Sequence, residues 1–443
     1  MVSRLVVAVA VCVIAAAPAA RAQDPYNLTA PVRNLATLFT DLYGPQGLVV
    51  DSLATLPGEQ PHSAHFNSDF QFNFSQFTTA LVSQLVSLPL PSPASGFTYR
   101  FDSSLGVFER TTQSFGPILA DRADTIGARR VSVGFAFQHF TFDTVEGIDL
   151  RHVPAVFSHD NAFLLGGRED VVTTSNSIEA TVNQATTFVT LGITDRFDVS
   201  VAVPVVSNYL KVVSDATIHR LGTTDPLTHF YRQSDGSVGE ERIFTAVGSA
   251  TGLGDLMVRV KHIVQKGPSS GAALGLDIRI PTGDEMNLLG SGTAGLQPFA
   301  IWSGTFQRVS PHVNASYKWN GSSVLAGNPA RGESADFPDQ VGYAAGVDVS
   351  VNPRVTLAFD VLGVNIIKAE RLQRVSFQAL DAARSVFPNV AFTRSTFNSL
   401  SGAFGFKASL LDRLLVDVNL LFKLDDHGLR DKVTPLIGLE YAF

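Results

Sequence analysis

Several charged side chains in this chain occupy places where their chemistry is restricted. Arg259, Asp277, Arg279, Lys318, Asp348, Asp360, Lys407, Asp417 and Glu440 stand in mid-segment, among apolar residues that recur with period two. Such alternation marks a β-strand with one apolar and one polar face. A charge in the middle of the polar face needs water or an opposite charge. The chemistry open to this set is ion pairing between strands, or control of which solutes pass along a wet interior. Pairing the strands symmetrically about their short connections sets Arg259 opposite Asp277 and Lys407 opposite Asp417. Opposite charges so placed stabilise a strand pair. Bracing of a wall and charge selection in a pore are both compatible with that register.

Other chemistry is sparse. Asp284 and Glu285 are adjacent carboxylates after Pro281-Thr282-Gly283, in an expected external loop. They are the weak metal candidates of the chain: two acids near a membrane surface can share a divalent cation with lipopolysaccharide phosphate, and a solvated pair is the plainer alternative. Asp255 after Gly254 reads as a structural turn. His62, His65, His139, His152, His159, His219, His229, His262, His312 and His427 are scattered, and none falls in a G-x-S-x-G or H-E-x-x-H setting. The residues therefore point away from an enzyme, and they imply no cofactor. The formal charge of −7 makes the chain a poor partner for nucleic acid.

These side chains must be positioned by the elements around them. Arg4, an apolar stretch over residues 5–17, and Ala20-Arg21-Ala22 before Gln23 form a secretory signal peptide over residues 1–22. Cys12, the single cysteine, lies inside it, so the exported chain is expected to have no thiol chemistry. No later run of about 18 apolar residues offers a transmembrane helix. Alternation instead continues for most of the chain, as in Phe197, Val199, Val201, Val203 and Val205, or Leu414, Val416, Val418, Leu420 and Phe422. The sequence ends Pro435, Ile437, Leu439, Tyr441, Phe443, a complete alternating strand closed by an aromatic. That ending suits the last strand of an outer-membrane barrel, whose terminal Phe443 would be read by the barrel-insertion machinery.

The spacing predicts an all-β fold over residues 129–443: a transmembrane antiparallel up-and-down β-barrel of about 12 strands (12–14, because residues 97–112 offer one more hairpin). Its connections alternate between short and long. The short ones fall at 194–196, 266–270, 309–310, 352–353 and 412–413, and have turn chemistry. The long ones fall at about 144–171, 214–251, 282–296, 321–339, 368–397 and 426–432. Outer-membrane barrels have short periplasmic turns and long external loops, which sets the orientation. Residues 23–128 lack this pattern. Leu35, Leu38, Phe39 and Leu42 share a helical face, as do Phe77, Leu81, Leu85 and Leu88 before Pro89. Phe97, Tyr99 and Phe101 suggest a short strand. We read this region as a partly helical N-terminal plug or periplasmic cap.

Several short motifs carry a family resemblance. They are Ser114-Phe115-Gly116-Pro117-Ile118-Leu119, Ala123-Asp124-Thr125-Ile126-Gly127, Val133-Gly134-Phe135-Ala136-Phe137-Gln138, Gly192-Ile193-Thr194-Asp195-Arg196-Phe197-Asp198-Val199, Gly252-Leu253-Gly254-Asp255 and Ile280-Pro281-Thr282-Gly283-Asp284-Glu285 with Leu288-Leu289-Gly290. In this order, over residues 110–443, the chain resembles the outer-membrane proteins grouped under a meta-pathway of phenol degradation. The resemblance implies a barrel loosely akin to long-chain fatty-acid transporters, taking up aromatic or other hydrophobic compounds.

The expected function is an outer-membrane channel or transporter for small hydrophobic or aromatic molecules. A structural or surface-binding barrel working through segments 214–251 and 368–397 is the alternative, and an outer-membrane barrel enzyme the second. Segment 368–397 is apolar for an external loop, with Leu372, Val375, Phe377, Leu380, Val386 and Phe387. Expected partners are outer-membrane lipid and lipopolysaccharide, the insertion machinery and a small-molecule substrate.

Overall fold

The structure, a computed structural model, describes residues 27–29, 32–44, 47–56, 60–61, 65–67, 96, 98–102, 107–110, 114–159, 170–222, 224–233, 235–411 and 413–443. The signal peptide and the helix expected through Phe77 and Leu88 lie outside these residues.

Twelve strands close into one antiparallel barrel. They are β1 (Val131–Thr141), β2 (Val171–Thr194), β3 (Phe197–His219), β4 (Glu241–Leu253 continued by Leu256–Lys266), β5 (Ser270–Ile280), β6 (Gly295–Gly304), β7 (Val309–Asn320), β8 (Gln340–Asn352), β9 (Val355–Gln378), β10 (Val386–Leu411), β11 (Leu414–Lys423) and β12 (Val433–Ala442). Both parts of β4 pair with β3, Leu253 opposite Val205 and Met257 opposite Ala202, so β4 is one strand with a break at Gly254-Asp255. β1 completes the ring, pairing with β12 through Val133 and Tyr441 and with β2 through Val131 and Leu191. The hairpin of Tyr99–Asp102 and Val107–Arg110 forms its own sheet and adds no strand to the wall.

The outward residues of the strands are large and apolar yet exposed, among them Leu191, Val201, Leu274, Val313, Phe359, Phe404 and Ile437. A continuous apolar belt of this kind is stable against lipid and not against water. Aromatic residues edge it: Trp302, Phe306, Tyr441 and Phe443 at the end of the short turns, and Tyr317, Trp319 and Tyr343 at the other. The lower part of β4 and the whole of β5 have 11 residues each, the length of one tilted crossing.

Segments 214–251 and 368–397 are not loops. β2, β3, β9 and β10 have 24, 23, 24 and 26 residues and continue well past the membrane, leaving connections of only 220–240 and 379–385. Above the lipid the outward positions are polar, as at Ser175, Ser177 and Glu179, so the alternation fades while the ladder of backbone hydrogen bonds continues. The turn expected at 309–310 lies slightly earlier, since β7 begins at Val309.

The lumen is occupied by two inserts. In the outer half, Leu35–Thr37 and Leu38–Asp41 form a short helical stretch whose first turn is capped by Asn34, the side chain accepting the Thr37 amide at 3.0 Å. Leu35, Leu38, Phe39 and Leu42 are buried there against Ile178, Val182, Leu210, Val212 and Phe244. Asn27–Thr29 adds in parallel to the upper edge of β4, opposite residues 243–245. These residues therefore lie inside the lumen in the half away from the short turns, and not at the short-turn end. The apolar inward residues of β2, β3 and β4 around this insert account for its placement. Near the short-turn end, residues 114–128 cross the lumen as a strap, with Phe115, Ile118, Leu119, Ala123 and Ile126 buried.

Candidate functional site: a cavity between strap and inner loop

An extended strap inside a barrel has no neighbouring strand to satisfy its amides and carbonyls, so the wall must supply partners. One carboxylate oxygen of Asp360 on β9 accepts the amides of Ile118 and Leu119 at 3.1 Å and of Ala120 at 3.4 Å. Its other oxygen lies 2.8 Å from Nε2 of His312 on β7, whose Nδ1 is 3.4 Å from Asp348 on β8. The Ser114 hydroxyl donates to Asp348 and not to the imidazole, so this cluster is an anchor rather than a charge-relay set. Further along, Thr356 accepts the Phe115 amide at 3.0 Å, Asn314 the Asp121 amide at 2.6 Å, and Asp198 the Ile126 amide at 3.0 Å. The Lys261 ammonium donates to the Asp124 carbonyl at 2.6 Å.

Asp348 and Asp360 thus face inward but are covered by the strap. Lys407 and Asp417 are register partners on β10 and β11 in the same inner half, and Glu440 on β12 accepts the Ser132 hydroxyl at 2.8 Å. Lys407 is only 2 % exposed, which places it in the packed wall and not along an open channel.

Above the strap is a cavity of about 280 Å³. Leu119 and Asp121 of the strap form its floor, and Leu288 and Leu289 its roof. Val182, Val206, Met257, Phe299 and Leu362 supply apolar lining. Arg259, Asp277, Arg279 and Lys318 supply the polar part. Arg259 and Asp277 are register partners and form a two-point pair, Nε to Oδ1 at 2.6 Å and Nη2 to Oδ2 at 2.7 Å. The third nitrogen, Nη1, reaches Asp121 at 2.6 Å, and the guanidinium lies 4.7 Å from the Phe299 ring centre. Arg279 donates to Asn320 at 2.8 Å and lies 3.7 Å from Asp255. Lys318 has no hydrogen-bond or ion-pair partner among the described residues.

The roof is the connection 281–294, which folds into the lumen instead of projecting outward. Asp255, at the break in β4, ties it down: Oδ1 accepts the Gly283 amide at 3.1 Å, and Oδ2 accepts the Ser291 amide at 2.8 Å and hydroxyl at 2.5 Å. The loop passes so close that a Cβ on Gly290 would stand 2.3 Å from Asp255, which explains the glycine. Asn208 of β3 donates to the Leu288 carbonyl at 2.7 Å.

Asp284 and Glu285 have structural work within this loop. Asp284 Oδ1 accepts the amides of Met286 and Asn287 at 3.1 and 3.4 Å, and Glu285 accepts the Ser323 hydroxyl at 3.2 Å. Among the described residues no group of three or more potential ligands gathers around a metal position. The metal reading has no support in this geometry, because the loop turns inward, Asp284 stabilises its own turn and Glu285 is engaged by Ser323 of the next connection.

The outer insert is latched by polar contacts at the mouth. Tyr43 shares a hydrogen bond with the Ser214 hydroxyl at 2.6 Å and donates to Asn176 at 3.3 Å, and burial pushes its phenol up to about 12. Asp170, just before β2, accepts the amides of Leu221 and Gly222, each at 2.7 Å, and lies 2.7 Å from His229 Nδ1. Burial opposes its ionisation, but the contact with His229 and the two amides prevail and hold the carboxyl below its ordinary range.

Asp121, Asp255, Asn314 and Lys261 were not singled out by sequence reasoning for these roles. Asp121 belongs to an aperiodic segment. Asp255 and Lys261 carry the right pattern signal, a polar residue between apolar neighbours, but no sign of what they hold.

A closed apolar-belted barrel with a plugged lumen defines an outer-membrane β-barrel protein. Residues 160–362 match the family model described as "Putative MetA-pathway of phenol degradation". No curated protein matches the sequence. Among solved structures, the COG4313 outer membrane channel from Pseudomonas putida F1 is similar at 10% identity, covering 73% of this chain and 99% of that one, with a TM-score of 0.41. The toluene transporter TodX of P. putida shows 9% identity over 71% of this chain and 90% of its own, with a TM-score of 0.31. A FadL homologue of Pseudomonas aeruginosa shows 9% identity over 71% and 89%, with a TM-score of 0.30. Values this low leave the function to be argued from this chain's own residues.

Proposed function

We propose that the protein is a gated outer-membrane channel that carries small hydrophobic or aromatic molecules through the cavity between its strap and inner loop. The observation that carries this reading is the cavity itself. A barrel serving only as a wall or a surface anchor gains by packing its interior, yet here about 280 Å³ is left open between two inserts. Space of that order, with apolar lining and a few convergent polar groups, is characteristic of small-molecule sites. The family description, with its reference to phenol degradation, accords with this substrate class.

The strap is the inner gate. Side chains of the wall hold it, and it is not part of the barrel ladder, so it can shift without unzipping a strand. Each such contact contributes about 1 kcal/mol net, more where a charge is involved. The outer gate is the loop 281–294 with the N-terminal helical stretch above it. A second path is favoured by one observation. Above the Leu256–Ile280 pairing, the free edge of β4 has no strand partner among the described residues except Asn27–Thr29. Leu289 packs inside that edge, close to Gly252 and Gly254. A hydrophobic molecule passing Leu289 there would meet the outer leaflet directly.

The test is planar-bilayer conductance of the refolded chain with and without phenol, benzoate and a fatty acid, beside a variant with a loosened strap, Asp360→Ala. Small or rare steps in the wild type, larger steps in the variant and block by one compound class are expected. Confirmed insertion with no steps in either protein, and no binding of any of the compounds, would overturn the proposal in favour of a structural barrel.

A further inference from the structure

We infer that the cavity selects an organic monoanion, an aromatic carboxylate, and that Lys318 is the group that receives its charge. This deepens the transport reading above and rests on it.

Lys318 stands on the inward face of β7, between Ser316 and Asn320 and opposite the buried Gln340 of β8. Its ammonium lines the cavity and offers three donors. The carboxylates around the cavity are already engaged. Asp277 is held at both oxygens by Arg259, and the third nitrogen of that guanidinium takes Asp121. Asp255 is spent on Gly283 and Ser291. The second cation of this wall stands close by. Arg279 lies across Gly295, where a Cβ would come within 3.1 Å of its Nη2, and it donates to Asn320, two residues from Lys318 along the same face. The polar wall therefore presents, beside a guanidinium, an ammonium with no hydrogen-bonded acceptor among the described residues.

An ammonium on the wall of a largely apolar cavity favours a ligand that brings an acceptor. The remaining lining, Leu119, Val206, Leu288, Leu289 and Phe299, is suited to a ring. Apolar cavities of about 150 Å³ hold benzene, so about 280 Å³ accommodates a ring with one or two substituents. A carboxylate is compact and accepts hydrogen bonds only, which complements Lys318. A hydrocarbon or neutral alcohol fills the apolar part and leaves the ammonium unmet.

The experiment is calorimetric titration of the refolded full chain in detergent at pH 6.5 with 4-ethylbenzoate and with 4-ethylbenzyl alcohol, for the wild type, Lys318→Met and Lys318→Arg. The wild type is expected to bind the carboxylate at least about tenfold more tightly than the alcohol. Lys318→Met should bind the alcohol as the wild type does and lose the preference, while Lys318→Arg should keep it. Equal affinities in the wild type, or a preference that survives Lys318→Met, would overturn the inference and leave the channel reading intact. If the wild type binds neither compound, the inference fails, and the conductance experiment decides the transport reading separately. Should Lys318→Met not refold, the wild-type comparison alone still decides.

Discussion

The backbone amide of Leu119 donates to the carboxylate of Asp360 at 3.1 Å, and through this contact a segment outside every strand is fixed to the barrel wall. The same carboxylate serves the amides of Ile118 and Ala120 and the ring of His312. Asp360→Ala should free the strap at its centre and raise single-channel conductance several-fold. Leaving buried amides and an imidazole unmet should also lower stability by about 3 kcal/mol or more, readable in urea unfolding. Unchanged conductance in a folded variant would mean that the strap is not the inner gate.

Arg259 joins the wall at Asp277 to the strap at Asp121. Arg259→Gln leaves two carboxylates at the cavity without their cation and should cost about 3–5 kcal/mol. Combining it with Asp277→Asn should recover a measurable part of that loss. A double-mutant cycle in urea checks the coupling, and strict additivity of the two changes would disprove it.

Reversing Lys407 distinguishes bracing from pore selectivity. The residue is buried and faces Asp417 in register. Lys407→Glu should impair folding by about 3–5 kcal/mol, seen as loss of the heat-modifiable band, while Lys407→Met is tolerated. A Lys407→Glu barrel of normal stability with altered ion preference would assign the residue to the conduction path instead.

Tyr43 gives the outer insert an alkaline limit. Its folded value is raised to about 12 because burial disfavours the phenolate. Docking is therefore fully stabilised below the ordinary tyrosine value of about 10, and that contribution is lost as pH rises from there through 12, up to about 3 kcal/mol in all. Hydrogen-exchange protection of residues 35–42 should fall across that window in the wild type. Tyr43→Phe should show about 1 kcal/mol lower protection at neutral pH and no further alkaline loss.

Asp170 sets the opposite limit. Its carboxyl is held below its ordinary range, so its contribution is present above the ordinary carboxylate value of about 4. It is lost as pH falls through the lowered folded value. Limited proteolysis should find the connection 220–240 protected at pH 6 and increasingly cut at acidic pH. Asp170→Asn should be cut readily at both.

The parts of the fold legible in the sequence are those that lipid dictates. A bilayer demands an apolar residue at every second position, and from this followed the strand count and the cross-strand pairs Arg259–Asp277 and Lys407–Asp417. Beyond the membrane that demand lapses, and the upper lengths of β2, β3, β9 and β10 read as loops. The strap was hidden for a different reason. Its bonds run from backbone amides to side chains far along the chain, as from Ile118 to Asp360, and no local period records them. The inward fold of residues 281–294 was equally silent, because Asp255 looks like any turn aspartate until the loop it holds is seen.

The arrangement of the inserts also constrains how the molecule is made. The N-terminal helical stretch lies in the outer half, the strap lies at the opposite end, and the strap runs directly into β1. At the level of the lipid the wall is a continuous hydrogen-bonded ring sealed between β1 and β12. A ring completed first would have to be threaded afterwards by a long N-terminal segment. The N-terminal insert and the strap thus share one hoop sealed between β1 and β12, and while that seam holds neither can leave the lumen sideways.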